Sequence, residues 1–176
     1  MSAPAIQSRT EAHQLRVVRV KPRDLAAVTA SVELLNAAQR IDDPGDRPGI
    51  PELAARWLEF GWDLEPDERY LCLPAGSREP VAVFEQQFPS RDNRHLAWGN
   101  VVVHPEHRRL GHGTAVVTEF IRRAAEAGRT TVWLGTAEDD PAATQDAHPV
   151  RDGPGLTELV GNDHDGQALC PQLAQA

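Results

Sequence analysis

The sequence predicts a single α+β domain with a mixed central sheet, whose elements follow the order β-α-α-β-β-β-α-β. Three observations support this prediction. Several short stretches alternate apolar and polar side chains, as half-buried strands do, and other segments repeat apolar residues at helical spacing. Proline- and glycine-rich breaks separate these segments from one another. The length of 176 residues suits one domain of this kind.

The first part of the chain predicts one strand and two helices. Residues 15–21 alternate apolar and polar side chains, and Pro22 ends this strand. Asp24 is placed to cap the helix that follows, and a second helix is predicted over residues 52–60. The apolar face of the first helix consists of residues three and four apart, namely Leu25, Val28, Val32 and Leu35.

The middle of the chain predicts a meander that leads into a helix and a further strand. Segments Glu68–Pro74 and 80–88 flank a short turn, so we expect them to form an antiparallel hairpin. The next strand, 96–104, ends in three valines, whose β-branched side chains favour strands. A helix over 110–128 and a strand over 130–136 follow. The apolar stripe of this helix is predicted at Val117, Phe120, Ile121 and Ala124. The tryptophans at positions 57, 62, 98 and 133 are expected mostly in the core.

Composition and charge divide the chain into a flexible N-terminus (1–14), a domain (15–137) and an acidic, disordered tail (138–176). The net charge is −8, but residues 1–136 carry 17 basic and 18 acidic side chains, so the excess lies in the tail. A nearly neutral body argues against binding to nucleic acid. No apolar run is long enough to span a membrane, and no hydrophobic targeting stretch opens the chain. Together with only two cysteines, these features favour a cytoplasmic protein.

The most informative segment is 101–114, VVVHPEHRRLGHGT, where a strand runs into a glycine-containing turn and then a helix. The first amides of a helix lack intrahelical partners and carry partial positive charge. Gly111 and Gly113 leave room for a phosphate to approach the backbone. Charge and a hydroxyl donor are supplied nearby by Arg108, Arg109 and Thr114. The segment therefore predicts an anion site.

The glycine pair alone is compatible with other interpretations. A dinucleotide-binding turn needs a third glycine where the sequence has Val116, and an acidic residue about 20 positions on, and both are missing. A P-loop needs Gly-Lys-Ser/Thr, which is also missing. The two glycines alone are also compatible with a flexible turn before a helix that binds no ligand.

The residues that flank the glycines form the pattern V-x-V-x-P-x-x-R-x-x-G-x-G, which resembles motif A of the GNAT acetyltransferase superfamily. Its fixed positions are Val101, Val103, Pro105, Arg108, Gly111 and Gly113. The order of elements over 15–136 is similar to that family, and in particular to the N-terminal half of bacterial two-domain GNAT proteins. The final helix and strands of the family are missing or degenerate here. Residues 155–161 resemble the segment of that helix only weakly.

The resemblance implies that acetyl-CoA is the co-substrate and that its acetyl group moves to a primary amine by direct attack. The strand at Val101 and Val103 would contact the pantetheine arm and the thioester. The turn would hold the pyrophosphate through Arg108, Arg109, Gly111, His112, Gly113 and Thr114. The acceptor would be a small-molecule amine or an amine of a protein.

The group that takes the proton of the amine is not identified by the resemblance. Glu85 and Asp92 are the nearest acidic candidates by topology. A solvated strand residue and a turn-forming Asx side chain are the respective alternatives for these two residues. The family often uses a tyrosine as general acid, but the only tyrosine, Tyr70, lies on the early hairpin.

We expect no metal, because the histidines at 104, 107 and 112 are not accompanied by a cysteine or carboxylate set at ligand spacing. The alternative function is a non-catalytic acetyl-CoA-binding or interaction domain, since the C-terminal part of the family is degenerate here. An open edge at the last strand would also favour a homo-oligomer or a partner domain that covers it.

Overall fold

The computed structural model describes residues 15–61, 64–135 and 158–161. Within these residues the chain forms three α-helices and a six-stranded sheet, and the helices and first five strands follow the predicted order. The elements are β1 (Leu15–Val20), α1 (Leu25–Asp42), α2 (Pro51–Phe60), β2 (Glu68–Pro74), β3 (Ala82–Gln87), β4 (Leu96–Val103), α3 (His112–Glu126), β5 (Thr131–Gly135) and β6 (Glu158–Gly161).

The sheet has the strand order β1-β2-β3-β4-β5-β6 and is mixed. Strands β1 to β4 pair antiparallel with their neighbours, as the meander predicted. Strand β5 pairs parallel with β4, because α3 carries the chain back across the sheet. The α+β prediction and its element order are confirmed.

Strand β6 was not predicted from the sequence. It pairs parallel with β5, with Thr131 opposite Glu158. The segment 155–161 was interpreted as the remnant of a helix, and its last four residues form this strand instead. The remainder of the predicted tail and the predicted flexible segment 1–14 lie outside the described residues.

Each face of the sheet is covered by helices and forms its own apolar core. Helix α3 covers one face, where the largest fully buried side chains are Phe84 and Phe120. Helices α1 and α2 cover the other face, and Val28, Val32 and Leu58 pack there against β2 and β3. Because helices pack on both faces of the sheet, the turns and side chains at the ends of its strands have defined positions.

Helix α3 approaches β4 closely at Gly99. A Cβ atom at this position would lie 2.4 Å from Cε2 of Phe120 and 2.6 Å from the carbonyl oxygen of Glu85. Contacts this short are not tolerated, so Gly99 has a packing role that no other residue can fill without a shift of α3. This packing sets the height of α3 above the sheet.

Some side chains lie elsewhere than predicted. Leu25, at the first position of α1, is 63% exposed, and the buried residues of this helix begin at Val28. In α3 the buried stripe follows a strict four-residue spacing, so the predicted Val117 and Ile121 are only partly buried. The buried residues of α3 are His112, Val116, Phe120 and Ala124.

The tryptophans are not mainly core residues. Trp57 is 43% exposed and Trp98 is 37% exposed, while Trp133 is partly buried. Residue 62 lies outside the described residues. None of the helices described here is both long and apolar enough to cross a bilayer.

Candidate active site

The turn between β4 and α3 has a backbone that only a few residue types adopt easily. Pro105–His107 form a short 3-10 turn, and Arg109 and Gly111 then take positive φ angles of 63° and 83°. Gly111 is the N-cap of α3 and has no side chain to cap the helix. The first intrahelical bond runs from the Ala115 amide to the Gly111 carbonyl, at 3.2 Å. The three amides before Ala115 therefore precede that bond and point out of the helix end.

A cavity of about 320 Å³ lies at this helix end. It is lined by Val103, His107, Arg108, Arg109, Gly111, Gly113 and Thr114. A Cβ atom at Gly113 would meet only Cγ2 of Val103, at an ordinary 3.6 Å, so the glycine is not required by the packing of the protein itself. A glycine that packing does not require, at a helix N-terminus beside a cavity, fits an approaching anion.

The sequence-predicted cofactor residues are brought together here, with differing roles. Arg109 is exposed and makes no ion pair with any described residue. Arg108 instead donates two hydrogen bonds to the Asp42 carboxylate at the end of α1, at 2.6 and 2.5 Å, and one to the Val103 carbonyl. These bonds raise the pKa of Arg108, and its charge is matched within the protein. His112 is buried, with its ring 6.3 Å from that of His107, and contributes its backbone to the helix end.

The described pairing between β4 and β5 covers the first part of β4. The last described pair is Asn100 opposite Gly135, so residues 101–103 have no β5 partner within the described part of the chain. On its other side β4 remains paired, with Val101 opposite Phe84 and Val103 opposite Ala82.

A second cavity, of about 230 Å³, lies beside the last described β4–β5 pair. Most of its strand side chains, including those of Glu85, Trp98 and Trp133, alternate with residues that face α3 and so point to the face that α1 and α2 cover. It is lined by Asp67, Glu85, Gln86, Gln87, Trp98, Gly99, Asn100, Trp133 and Gly135. The indole rings of Trp98 and Trp133 meet edge to face there, with centroids 5.1 Å apart.

Of the two sequence-predicted acids, only Glu85 lines this cavity. Its carboxylate forms an ion pair with the buried Arg69, at 2.5 Å, and Arg69 also donates to the Ser31 hydroxyl. Asp92 is exposed on the turn before β4 and does not line the cavity. Tyr70 faces α3, where its hydroxyl donates to Glu68 at 2.7 Å and Arg123 covers its ring.

Asp67, a second carboxylate in the cavity, was not predicted from the sequence. The Trp57 indole N–H donates to its Oδ2 at 3.3 Å. Burial raises the pKa of Asp67 against the lowering effect of the Trp57 hydrogen bond; the charge of Glu85 adds a smaller raising effect and that of Arg69 a smaller lowering one. No sequence pattern marks this residue, since it lies in an irregular stretch between α2 and β2. No group of His, Cys, Asp and Glu side chains suited to a metal is present among the described residues.

The family model of the acetyltransferase (GNAT) family matches residues 35–146. The chain belongs to the GNAT acetyltransferase family. This match runs from the second half of α1 through β5 and includes the turn with the exposed helix amides, so the predicted resemblance is confirmed. No curated protein sequence matches the chain.

Solved structures share the fold of this GNAT domain. A tandem GNAT protein from the clavulanic acid biosynthesis pathway aligns with a TM-score of 0.62 and 22% identity, over 74% of this chain and 42% of that one. An aminoglycoside acetyltransferase from an uncultured soil metagenomic sample, in complex with sisomicin, aligns with a TM-score of 0.56 and 16% identity, over 74% and 83% of the two chains. A putative acetyltransferase from Salmonella typhimurium with its cofactor acetyl-CoA aligns with a TM-score of 0.55 and 20% identity, over 74% of this chain and 75% of that one.

Proposed function

We propose that this GNAT domain transfers an acetyl group from acetyl-CoA to a primary amine. The observation that carries the proposal is the uncapped N-terminus of α3 beside a cavity in which Gly113 leaves space that packing does not need. Such a helix end binds phosphate through its amides and its dipole. The pyrophosphate of acetyl-CoA would lie there, beside the exposed guanidinium of Arg109, which makes no ion pair with any described residue.

The end of β4 offers a path for the rest of the molecule. The pantetheine arm carries amide groups that would pair with main-chain groups of residues 101–103, which follow the last described β4–β5 pair. The thioester would then reach that last described pair, Asn100 and Gly135, which also line the second cavity. The first cavity would thus hold the pyrophosphate of the acetyl donor, and the second cavity the amine.

The chemistry that this arrangement supports is direct attack of the amine on the thioester carbonyl carbon. Main-chain N–H groups of β4 near the thioester would stabilise the negative charge that develops on the carbonyl oxygen. The acceptor would be a small-molecule amine or an amine of a protein, as in the aminoglycoside complex of the metagenomic relative. A non-catalytic acetyl-CoA-binding domain is the second candidate, favoured by the position of Tyr70 away from both cavities.

Thermal unfolding with and without acetyl-CoA tests the binding that both candidates share. A ligand that binds only the folded state at 100 times its dissociation constant adds about 2.7 kcal/mol to stability. We expect a clear rise in melting temperature with acetyl-CoA, and an unchanged curve at millimolar acetyl-CoA would contradict both candidates. Amine-dependent release of free CoA thiol separates them, because only the transferase releases it.

A further inference from the structure

We propose that Asp67 binds the ammonium group of the acceptor and takes its proton before the nitrogen attacks. This inference rests on the proposed function and assigns a catalytic residue and an acceptor class to it. It comes from the second cavity, where Asp67 and Glu85 are the two carboxylates in the lining.

The two carboxylates differ in the hydrogen-bond and ion-pair partners that the protein itself provides. Glu85 accepts from Arg69 at 2.5 and 2.7 Å, and Arg69 is only 7% exposed, so this pair is part of the folded core. Asp67 has no ion pair within the described residues, and its one hydrogen bond comes from a neutral indole. A carboxylate that is partly buried and unpaired is costly, and a cationic ligand would compensate this cost.

The lining of the cavity indicates what kind of amine fits. One positive charge, on Arg69, stands against the charges of Asp67 and Glu85, which leaves room for a single cation. The rest of the wall is aromatic or uncharged, with the indoles of Trp98 and Trp133 and the amides of Gln87 and Asn100. The geometry points to a primary amine with one charge on an apolar stem, since a polycation would find one unmatched carboxylate.

The proposed step conserves protons and electrons. The ammonium group gives one proton to the Asp67 carboxylate, and the free nitrogen pair attacks the thioester carbonyl carbon. A C–N bond forms, the C–S bond breaks, and the CoA thiolate leaves with the electron pair. The second proton lost by the nitrogen goes to the thiolate through solvent, and Asp67 returns its proton to water. The environment of Asp67 favours this role, because burial and the nearby Glu85 already raise its pKa.

The test compares Asp67→Asn with Asp46→Asn, a matched change at an exposed carboxylate that lines neither cavity. Asparagine keeps the size of Asp67 and can still accept from Trp57. Two probes are titrated by calorimetry: phenethylamine and 2-phenylethanol, which has the same stem without the charge. Steady-state rates of CoA release from acetyl-CoA and phenethylamine are measured across the range from weakly acidic to weakly basic pH.

We expect Asp67→Asn to bind phenethylamine at least 10-fold more weakly, with 2-phenylethanol weak in every variant. We also expect its turnover rate to fall by about two orders of magnitude, with loss of the acidic limb of the pH profile. Asp46→Asn should match the wild type in both measurements. Equal phenethylamine affinity in wild type and Asp67→Asn, or a turnover rate within threefold of the wild type with an unchanged pH profile, would overturn the proposal.

The binding measurements distinguish failure of this inference from failure of the proposed function. Acetyl-CoA should raise the melting temperature of Asp67→Asn as much as that of the wild type, because residue 67 does not line the first cavity. A wild type that binds acetyl-CoA and phenethylamine but releases no thiol would contradict the transferase, and with it the proton-transfer step. Equal thiol release by the wild type and Asp67→Asn would contradict the inference alone.

Discussion

Asp42, the last residue of α1, holds Arg108 of the β4–α3 turn through two hydrogen bonds of 2.6 and 2.5 Å. The two residues are 66 positions apart in the chain, so this contact joins the first helix to the anion site. Arg108 also donates to the Val103 carbonyl at 3.2 Å, which ties the turn to the end of β4. The arginine thus supports the turn with its side chain while its charge is already matched.

Replacement of Asp42 by asparagine should loosen this turn. We expect a loss of about 1 kcal/mol in stability, or roughly 2–4 °C in melting temperature, because a charged bidentate pair is partly buried there. The dissociation constant for acetyl-CoA should rise several-fold, since the amides would lose their fixed orientation. Calorimetry and thermal unfolding measure the two effects. Glu59→Gln, which breaks a 3.5 Å pair with the exposed Arg23, is the control and should change neither.

Substitution of Gly113 should affect ligand binding but not the stability of the fold. Gly113→Ala should leave the melting temperature within about 2 °C, because its Cβ would meet only Val103 at 3.6 Å. The same methyl group would occupy the space assigned to the pyrophosphate, so acetyl-CoA affinity should fall at least 10-fold. Gly45→Ala, in a distant loop with a nearest contact of 3.7 Å, is the matched control. If Gly113→Ala binds acetyl-CoA as tightly as the wild type, the pyrophosphate does not bind at this helix end.

Much of this fold follows from local patterns in the sequence. Alternation placed β1 to β5 within two residues of their observed ends, and the turn with Gly111 and Gly113 stood out by its spacing. The prediction did not include β6, because four residues without a flanking pattern become a strand only when β5 offers them a partner. Asp67 was missed for a similar reason, since its environment is created by β3, β4 and α2 together. The partner of Arg108 is likewise a long-range contact that local spacing does not reveal.

Tyr70 provides a direct test of the core below α3. It is the only tyrosine in the chain, so the change in ultraviolet absorbance on forming tyrosinate reports its ionisation alone. Burial, followed by the hydrogen bond to Glu68, raises its pKa to about 12. Because the folded pKa lies above the usual value of about 10, its stabilising effect is complete below pH 10 and is lost as the pH rises toward 12.

We therefore expect a spectrophotometric titration with a midpoint near 12 for the folded protein, and near 10 in concentrated guanidinium. A midpoint near 10 without denaturant would show that Tyr70 is accessible, against the packing described here. Glu68→Gln should lower the folded midpoint, since it replaces the charge that opposes the tyrosinate.

The two carboxylates of the second cavity should respond in opposite directions to removal of their charge. Glu85→Gln leaves Arg69 buried without its counter-ion, so stability should fall by about 3 kcal/mol, or roughly 10 °C. Asp67→Asn removes an ionised group that burial disfavours, so the melting temperature should rise by about 1–2 °C at pH 8.

The pH dependence of the second effect has a definite sign. The folded pKa of Asp67 is raised, so the wild type gains stability as the pH falls through that pKa, and the difference from Asp67→Asn should shrink in acid. Thermal unfolding of both variants from pH 4 to 8 checks these expectations. A drop in melting temperature for Asp67→Asn at pH 8 would show that the carboxylate is stabilised within the free protein.

The most direct test of the proposed acetyl-CoA site is an amide NMR titration of the ¹⁵N-labelled chain with acetyl-CoA. We expect the largest shifts on the amides of Gly111, Gly113 and Thr114, with further shifts at residues 101–103. Inorganic pyrophosphate alone should shift the first group and leave the strand unchanged. An acetyl-CoA titration that moves neither group, or that moves resonances on another part of the domain, would contradict this placement of the coenzyme.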